Sequence, residues 1–148
     1  MTWDGDISRM GQLADRIADL AQIPSRVSRE VAPLLASEIQ AEFDAGTDPY
    51  GDPWAPLAEA TLDTGRFPPP LTDTRDMRDS LRVTPMRGAG VQITIAHPAA
   101  PHQTGWHGPQ NSGRARPIMP QRGELPHDWQ EIIEGAIERE VSKARRRA

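Results

Sequence analysis

The sequence predicts an α+β domain in which a small antiparallel sheet packs against N-terminal and C-terminal helices. Three observations predict it: helical spacing of apolar residues in the N-terminal part, two alternating runs that form a hairpin at about 80–97, and a second helical stripe near the C-terminus. A chain of 148 residues has the size of one domain. We expect a single domain over 1–148, with a helical segment at 6–45 and an extended interaction loop at 96–122.

The N-terminal segment is predicted to hold two helices. The first runs from Asp6 to Gln22, because its apolar residues recur every three or four positions; these are Ile7, Met10, Leu13, Ile17 and Leu20. A second apolar face continues from about Pro24 to Phe43. Since proline lacks an amide hydrogen and clashes with the preceding turn, Pro33 should break or kink this helix. We therefore expect its regular part at Pro33 to Phe43.

A proline-rich loop around one tryptophan follows the second helix. The stretch Gly46-Thr47-Asp48-Pro49-Tyr50-Gly51-Asp52-Pro53-Trp54-Ala55-Pro56-Leu57 contains three X-Pro steps after aspartate or alanine, so neither a helix nor a central strand passes through it. A large aromatic side chain in such a rigid turn is usually buried. The loop is predicted to drive Trp54 and Leu57 into the core, with Pro53 and Pro56 completing the structural part of the loop.

The second half of the chain is predicted to supply the sheet and the last helix. A short helical turn is expected at 58–63, and 74–79 is ambiguous between helix and strand. Leu81 and Val83 alternate with polar residues, as do Val91, Ile93 and Ile95, and glycines separate the two runs, which is typical of a β-hairpin. A final helix is expected at 128–146, with an apolar stripe formed by Trp129, Ile132, Ile133, Ala136, Ile137 and Val141.

Composition excludes several classes of protein. The chain has no cysteine, so disulfides and cysteine-based zinc sites are excluded, and it has no apolar run of membrane-spanning length. The acidic first residues do not resemble a signal peptide, which predicts a protein that stays in the cytoplasm unless a particle carries it out.

The net charge is −7 over 1–62, +4 over 63–122 and −1 over 123–148. This segregation suits head-to-tail association between copies, although scattered solvated charge remains an equal alternative.

No group of residues in the sequence strongly indicates a catalytic or metal-binding site. Histidines at 97, 102 and 107 are five positions apart in a loop rich in proline and glycine, without the close pairs and carboxylates of a metal site. Ser112 is not in a nucleophile elbow. We therefore expect no catalytic residues, no metal and no cofactor. Arg114, Arg116 and Arg122 flank Pro117-Ile118-Met119-Pro120, a pattern that fits either a docking loop or a solvated one.

The order of these segments resembles the phage virion morphogenesis, or tail completion, family of Mu-like and P2-like tailed phages. The residues that carry the resemblance are Phe43, Asp48-Pro49-Tyr50-Gly51-Asp52-Pro53-Trp54-Ala55-Pro56-Leu57, Leu71 to Ser80, Val91 to Ile95, His102-Gln103-Thr104-Gly105 and Arg114-Ala115-Arg116-Pro117. The Trp54 loop is the most specific of these motifs.

The resemblance implies a structural, non-enzymatic protein of the virion, assembled in the host cytoplasm. Such proteins look like tail-completion or neck components that finish a tail or join it to the head. Implied partners are other copies in a ring, on the order of six or twelve, other neck and tail proteins, and nearby DNA in the channel without sequence specificity; no membrane is implied. The candidate interface residues are His102, Gln103, Gly105, Arg114, Arg116 and Pro117. A protein-binding adaptor outside any virion, or a small hydrolase that uses the histidines, remains an alternative.

Overall fold

The computed structural model describes residues 7–56, 63, 76–96, 103 and 115–147, and these residues form four helices and one hairpin. The elements are α1 (Ile7–Ala21), α2 (Ile23–Ala45), α3 (Asp76–Ser80), β1 (Arg82–Pro85), β2 (Val91–Thr94) and α4 (His127–Arg147). This combination of helices with a two-stranded antiparallel sheet confirms the predicted α+β class. The turn predicted at 58–63 lies outside the described residues except for Asp63.

Helix α2 is at the centre of the molecule and packs against both α4 and the hairpin. Its apolar residues follow helical spacing, so they share one face, and Leu35, Ile39 and Phe43 are almost completely buried. The core around them consists of Val31, Trp54, Met77, Leu81, Ile118, Trp129 and Ala136. Burial of this face fixes where both α4 and the hairpin sit.

The expectation of a break at Pro33 is wrong, because α2 runs without interruption from Ile23 to Ala45. An internal proline costs a helix about 3 kcal/mol. Here Val31 and Leu35, on either side of the proline, are both buried in the core, whereas Pro33 itself is exposed. Packing of the flanking residues therefore outweighs the cost, and the regular helix begins ten residues earlier than predicted.

The hairpin matches its predicted position. Strands β1 and β2 are antiparallel, with Val83 opposite Ile93 and Pro85 opposite Val91. Gly88 and Gly90 have φ values of 91° and 111°, which non-glycine residues rarely adopt, so the turn needs both glycines. The strand side chains that pack on the core alternate with exposed ones. Of the ambiguous segment 74–79, the described residues 76–79 are helical and belong to α3.

Helices α1 and α4 both form where predicted but use their apolar stripes differently. In α4, Trp129 and Ala136 are buried against α2, whereas Ile137 is 43% exposed. In α1, Leu13 and Ile17 are 58% and 59% exposed, and the helix makes few contacts with the rest of the protein. No helix in the described part of the chain combines the length and apolarity needed to cross a membrane.

Candidate interface at the Trp54 junction

The Trp54 junction consists of residues 46–56, Gln103 and residues 115–126. It begins where α2 ends at Gly46, whose left-handed backbone (φ 70°) turns the chain and directs its N–H to the carbonyl of Phe43. Asp48 then folds the turn around its side chain, since Oδ1 accepts hydrogen bonds from the N–H groups of Tyr50 and Asp52, both at 2.9 Å. The Trp54 N–H donates back to the carbonyl of Gly46. These contacts make a closed, ordered turn.

The side chain of Trp54 joins this turn to the second part of the junction. The residue is 5% exposed, and its ring meets the edge of Phe43 with 5.4 Å between ring centres and 76° between planes. Its indole Nε1–H donates to the carbonyl of Pro117 at 2.8 Å. Pro53 and Pro56 are exposed, so their rings stiffen the backbone without entering the core, and Leu57 lies outside the described residues.

Gln103 holds the backbone next to Ile118 with its side-chain amide. Oε1 accepts hydrogen bonds from the N–H groups of Ile118 and Met119, at 2.7 and 2.9 Å, and Nε2 donates to the carbonyl of Met119 at 2.8 Å. This is the pairing that a neighbouring strand would otherwise provide. Because Ile118 is 2% exposed, the amide lets a buried stretch of irregular chain satisfy its polar groups.

Arg116 fastens the other end of the Trp54 loop. Its Nε–H donates to the carbonyl of Ala55 at 2.8 Å, and a second guanidinium nitrogen donates to the carbonyl of Pro56 at 3.0 Å. Partial burial lowers the pKa of Arg116 from its ordinary value. The guanidinium acts as a two-pronged hydrogen-bond donor to two backbone carbonyls of this proline-rich loop.

Tyr50 closes the outer rim of the junction. Its hydroxyl accepts a hydrogen bond from the N–H of Arg122 at 3.0 Å and donates one to the carbonyl of Glu124 at 2.8 Å. The guanidinium of Arg122 lies over the tyrosine ring, 4.4 Å from its centre, and pairs with Asp52 at 2.7 Å. The Arg122 and Asp52 side chains are more than half exposed, so this ion pair is weak and the tyrosine is the main attachment.

A buried carboxyl lies below the junction, between α2 and α4. Glu42 Oε1 accepts a hydrogen bond from the indole of Trp129 at 2.8 Å, while Oε2 is buried and finds no partner among the described residues. Burial raises the pKa of Glu42 to about 7, although the Trp129 hydrogen bond acts in the opposite direction. Burial and the charge of Asp128 also raise the pKa of Glu38.

Three of the six candidate interface residues meet at the Trp54 junction. Gln103, Arg116 and Pro117 all bind the body of their own chain there. His102, Gly105 and Arg114 lie outside the described residues. Sequence reasoning missed Tyr50 and Glu42 as structural groups. A signal existed for Glu42, which follows Ile39 by three positions and so falls on the buried face of α2.

The side chains of the junction form hydrogen bonds largely to backbone groups, so they position the chain. Over the ranges that the structure describes, no three histidine or carboxylate side chains come close enough to hold a metal ion. Of the four histidines, His127 lies 3.2 Å from Glu131 at the exposed start of α4. His97 and His107, like His102, fall outside those ranges.

Comparison with models of protein families gives a match. The model of the phage virion morphogenesis family matches residues 6–142, which includes every described element except the last turn of α4. No curated protein and no solved structure matches the chain.

Proposed function

Because the chain belongs to the phage virion morphogenesis family, we propose that it is a structural subunit that completes the phage tail or joins the tail to the head. Membership over nearly the whole chain is the observation that carries this proposal. It supports a role in making the virion, and tail completion is the finer assignment that we add. The protein works in this proposal as a component of the neck or of a tail-terminator ring, without enzymatic activity.

The architecture supports a structural role. The side chains of Gln103, Arg116 and Tyr50 form hydrogen bonds to the backbone of the protein's own loops. These bonds make the outer surface of the loops rigid, although the loops lack regular secondary structure. Rigid loops lower the entropy lost when a surface is ordered by a partner. The proposed contact to other neck and tail proteins is the 96–122 loop, whose described residues are anchored in this way.

The proposed assembly is a ring of identical subunits, on the order of six or twelve copies. The separation of charge between 1–62, at −7, and 63–122, at +4, supports contacts between unlike surfaces of neighbouring copies. Sequence-independent proximity of the ring to DNA in the channel belongs to the same proposal.

Deletion of the gene from the parent phage tests the function. Electron microscopy of the lysate should show full heads beside detached or unfinished tails, and a plasmid copy of the gene should restore joined particles. The restored particles should contain the protein, detected by mass spectrometry after purification on a density gradient. Intact, infectious particles from the deletion strain would contradict the proposal and favour an adaptor that acts outside the virion.

A further inference from the structure

The contact between the end of α2 and the start of α4 depends on one buried carboxyl. Glu42 is 7% exposed, and its Oε1 accepts a hydrogen bond from the indole of Trp129 at 2.8 Å. Its second oxygen, Oε2, is buried and has no hydrogen-bond partner among the described residues. An ionised carboxylate can accept about four hydrogen bonds, so a single donor leaves most of its hydration unreplaced. The site therefore suits a neutral carboxyl better than an ionised one.

The charges around Glu42 act in the same direction as its burial. Within the described part of the chain, the groups whose charges reach it are Glu38 in α2, Asp48 in the turn after α2 and Asp128 in the first turn of α4. All three are acidic. Negative charges from both helices and the turn thus surround one carboxyl, and a further charge on it is repelled by all of them.

The two halves of α4 are held on α2 by different contacts. In the first turn, 127–130, Trp129 is the buried side chain, and it binds Glu42. In the second half, Ala136 is buried in the core and Glu140 lies 3.9 Å from Arg26 of α2. The contact at the start of α4 is the one that includes the carboxyl, so the second half can stay packed when the first turn detaches.

We propose that Glu42 is a proton-dependent switch for the start of α4. While its carboxyl is protonated, the first turn of α4 stays packed on α2. When the proton leaves, this part of the helix detaches and the carboxylate becomes hydrated, whereas the second half of α4 stays in place. In the open form the indole of Trp129 moves from the core into solvent, so the same event uncovers apolar surface at the end of α2.

The direction of the switch follows from proton linkage. Burial, and to a smaller extent the nearby charges, raise the pKa of Glu42 to about 7 in the closed form, and hydration in the open form returns it to the ordinary 4.5. The closed form thus binds the proton more tightly. Its advantage is complete below about pH 4.5 and is lost as the pH rises through about 7. Between pH 5 and 8 the ratio of open to closed molecules should rise on the order of 100-fold.

Hydrogen exchange of the Trp129 indole N–H, measured by NMR, tests the switch. This group is bonded to Glu42 in the closed form and exchanges with solvent in the open form. Because the chemistry of exchange itself depends on pH, each rate is divided by the rate for Glu42→Gln at the same pH. The amide of that variant is neutral at every pH and keeps an acceptor for the indole.

Two variants serve as matched controls. Glu138→Gln removes an exposed carboxyl from the same helix. His127→Gln removes the exposed histidine of the first turn, a residue type that also changes charge near neutral pH. Both should keep the pH dependence of the wild type. Glu38→Gln removes one of the acidic neighbours of Glu42, so its rise should level off at a lower pH than in the wild type.

We expect the rate ratio of the wild type to rise on the order of 100-fold from pH 5 to pH 8. The rate should stay constant when urea is added below the unfolding transition, because a local opening exposes little surface. The titration of the Glu42 carboxyl, followed by NMR in the wild-type protein, should have its midpoint at about pH 7 without any substitution.

Three results would overturn the inference: a rate ratio that does not change with pH, a pH dependence that is lost in His127→Gln, or a rate that rises with urea as steeply as global unfolding does. The last result would mean that the indole is exposed only when the whole protein unfolds. The inference goes beyond the proposed function and is tested on the purified subunit. A dispensable gene would therefore overturn only the function, and a rate ratio without pH dependence would overturn only the switch.

Discussion

The Trp54 junction and helix α1 differ in which side chains they bury and which they expose. At the junction, Trp54 is buried, and the polar groups of Gln103 and Arg116 bind backbone atoms of the same chain. On α1, the polar residue Asp19 binds the body, while Leu13 and Ile17 remain exposed. The sequence of each region combines apolar residues with charged neighbours, in a proline-rich loop at the junction and at helical spacing in α1.

The difference separates stability from association. Contacts within the junction are made on folding, so changes there should alter the free energy of unfolding. Folding removes little of the apolar surface of α1 from water, because the side chains of the stripe stay more than half exposed. Substitutions there should therefore leave the free energy of unfolding nearly unchanged. Four substitutions, from the largest expected effect to the smallest, test this division.

Trp54→Ala should have the largest effect. It removes a buried ring that contacts Phe43 and a hydrogen bond to Pro117, and it should lower the free energy of unfolding by about 3–5 kcal/mol. Denaturant titration followed by circular dichroism measures the change. Trp54→Phe keeps an aromatic ring but loses the indole N–H, and should cost clearly less. An unchanged denaturation midpoint for Trp54→Ala would show that the junction does not stabilise the fold.

Glu42→Gln should remove a pH dependence of the protein's stability against unfolding. The pKa of Glu42 is raised to about 7 in the folded protein from an ordinary value of 4.5, so the folded state binds the proton more tightly than the unfolded state. The stability due to this carboxyl is thus complete below about pH 4.5 and is lost as the pH rises through about 7. The loss is on the order of 2–3 kcal/mol.

Melting temperatures of both proteins across pH 4.5–8 measure this dependence. Glu42→Gln should match the wild type at pH 4.5, because the protonated acid and the amide are both neutral, and should exceed it at pH 8. Trp129 can still donate to the amide oxygen at this position. Parallel melting curves for the two proteins over the whole range would contradict a raised pKa.

Gln103→Leu should cost about 1–3 kcal/mol of unfolding free energy, because it leaves the N–H groups of Ile118 and Met119 without their acceptor. The same denaturant titration measures it. Gln121→Leu is the matched control, since that exposed amide makes one hydrogen bond to the carbonyl of Gln103. Equal effects from the two variants would mean that solvent or other groups replace the Gln103 amide.

Ile17→Ser should have the smallest effect on stability, within about 0.5 kcal/mol when measured on dilute protein, because the side chain is 59% exposed. Comparison at low and high protein concentration sharpens the result, since any stabilisation that grows with concentration in the wild type should be reduced in the variant. A loss as large as that of Trp54→Ala in dilute protein would place the stripe within the folded core.

Periodicity predicted the positions of the regular elements well. The hairpin falls within three residues of its expected bounds and α4 within one, because apolar spacing reports which residues share a face. It does not report what covers that face. The stripe of α1 and the stripe of α4 look equivalent in the sequence, yet only the second is packed against α2. Pro33 was misjudged for a related reason, because local propensity does not include the packing of Val31 and Leu35.

The candidate site could be predicted only in part. A tryptophan among prolines indicates an ordered loop, and burial of Trp54 follows from its size. Its partner Pro117 lies 63 residues away, and Tyr50 reaches Glu124 across 74 residues. No periodic pattern links such distant positions in irregular chain. That Gln103 acts in place of a neighbouring strand therefore became apparent only from the structure.

The position of Trp129 has a consequence for the order in which the protein matures. Its indole covers Glu42 from 87 residues further along the chain, and α4 supplies one wall of the core around α2. During synthesis the part of the α2 face that packs against α4 thus stays uncovered until Trp129 and Ala136 have been made. The core around α2 is therefore complete only once α4 has been made.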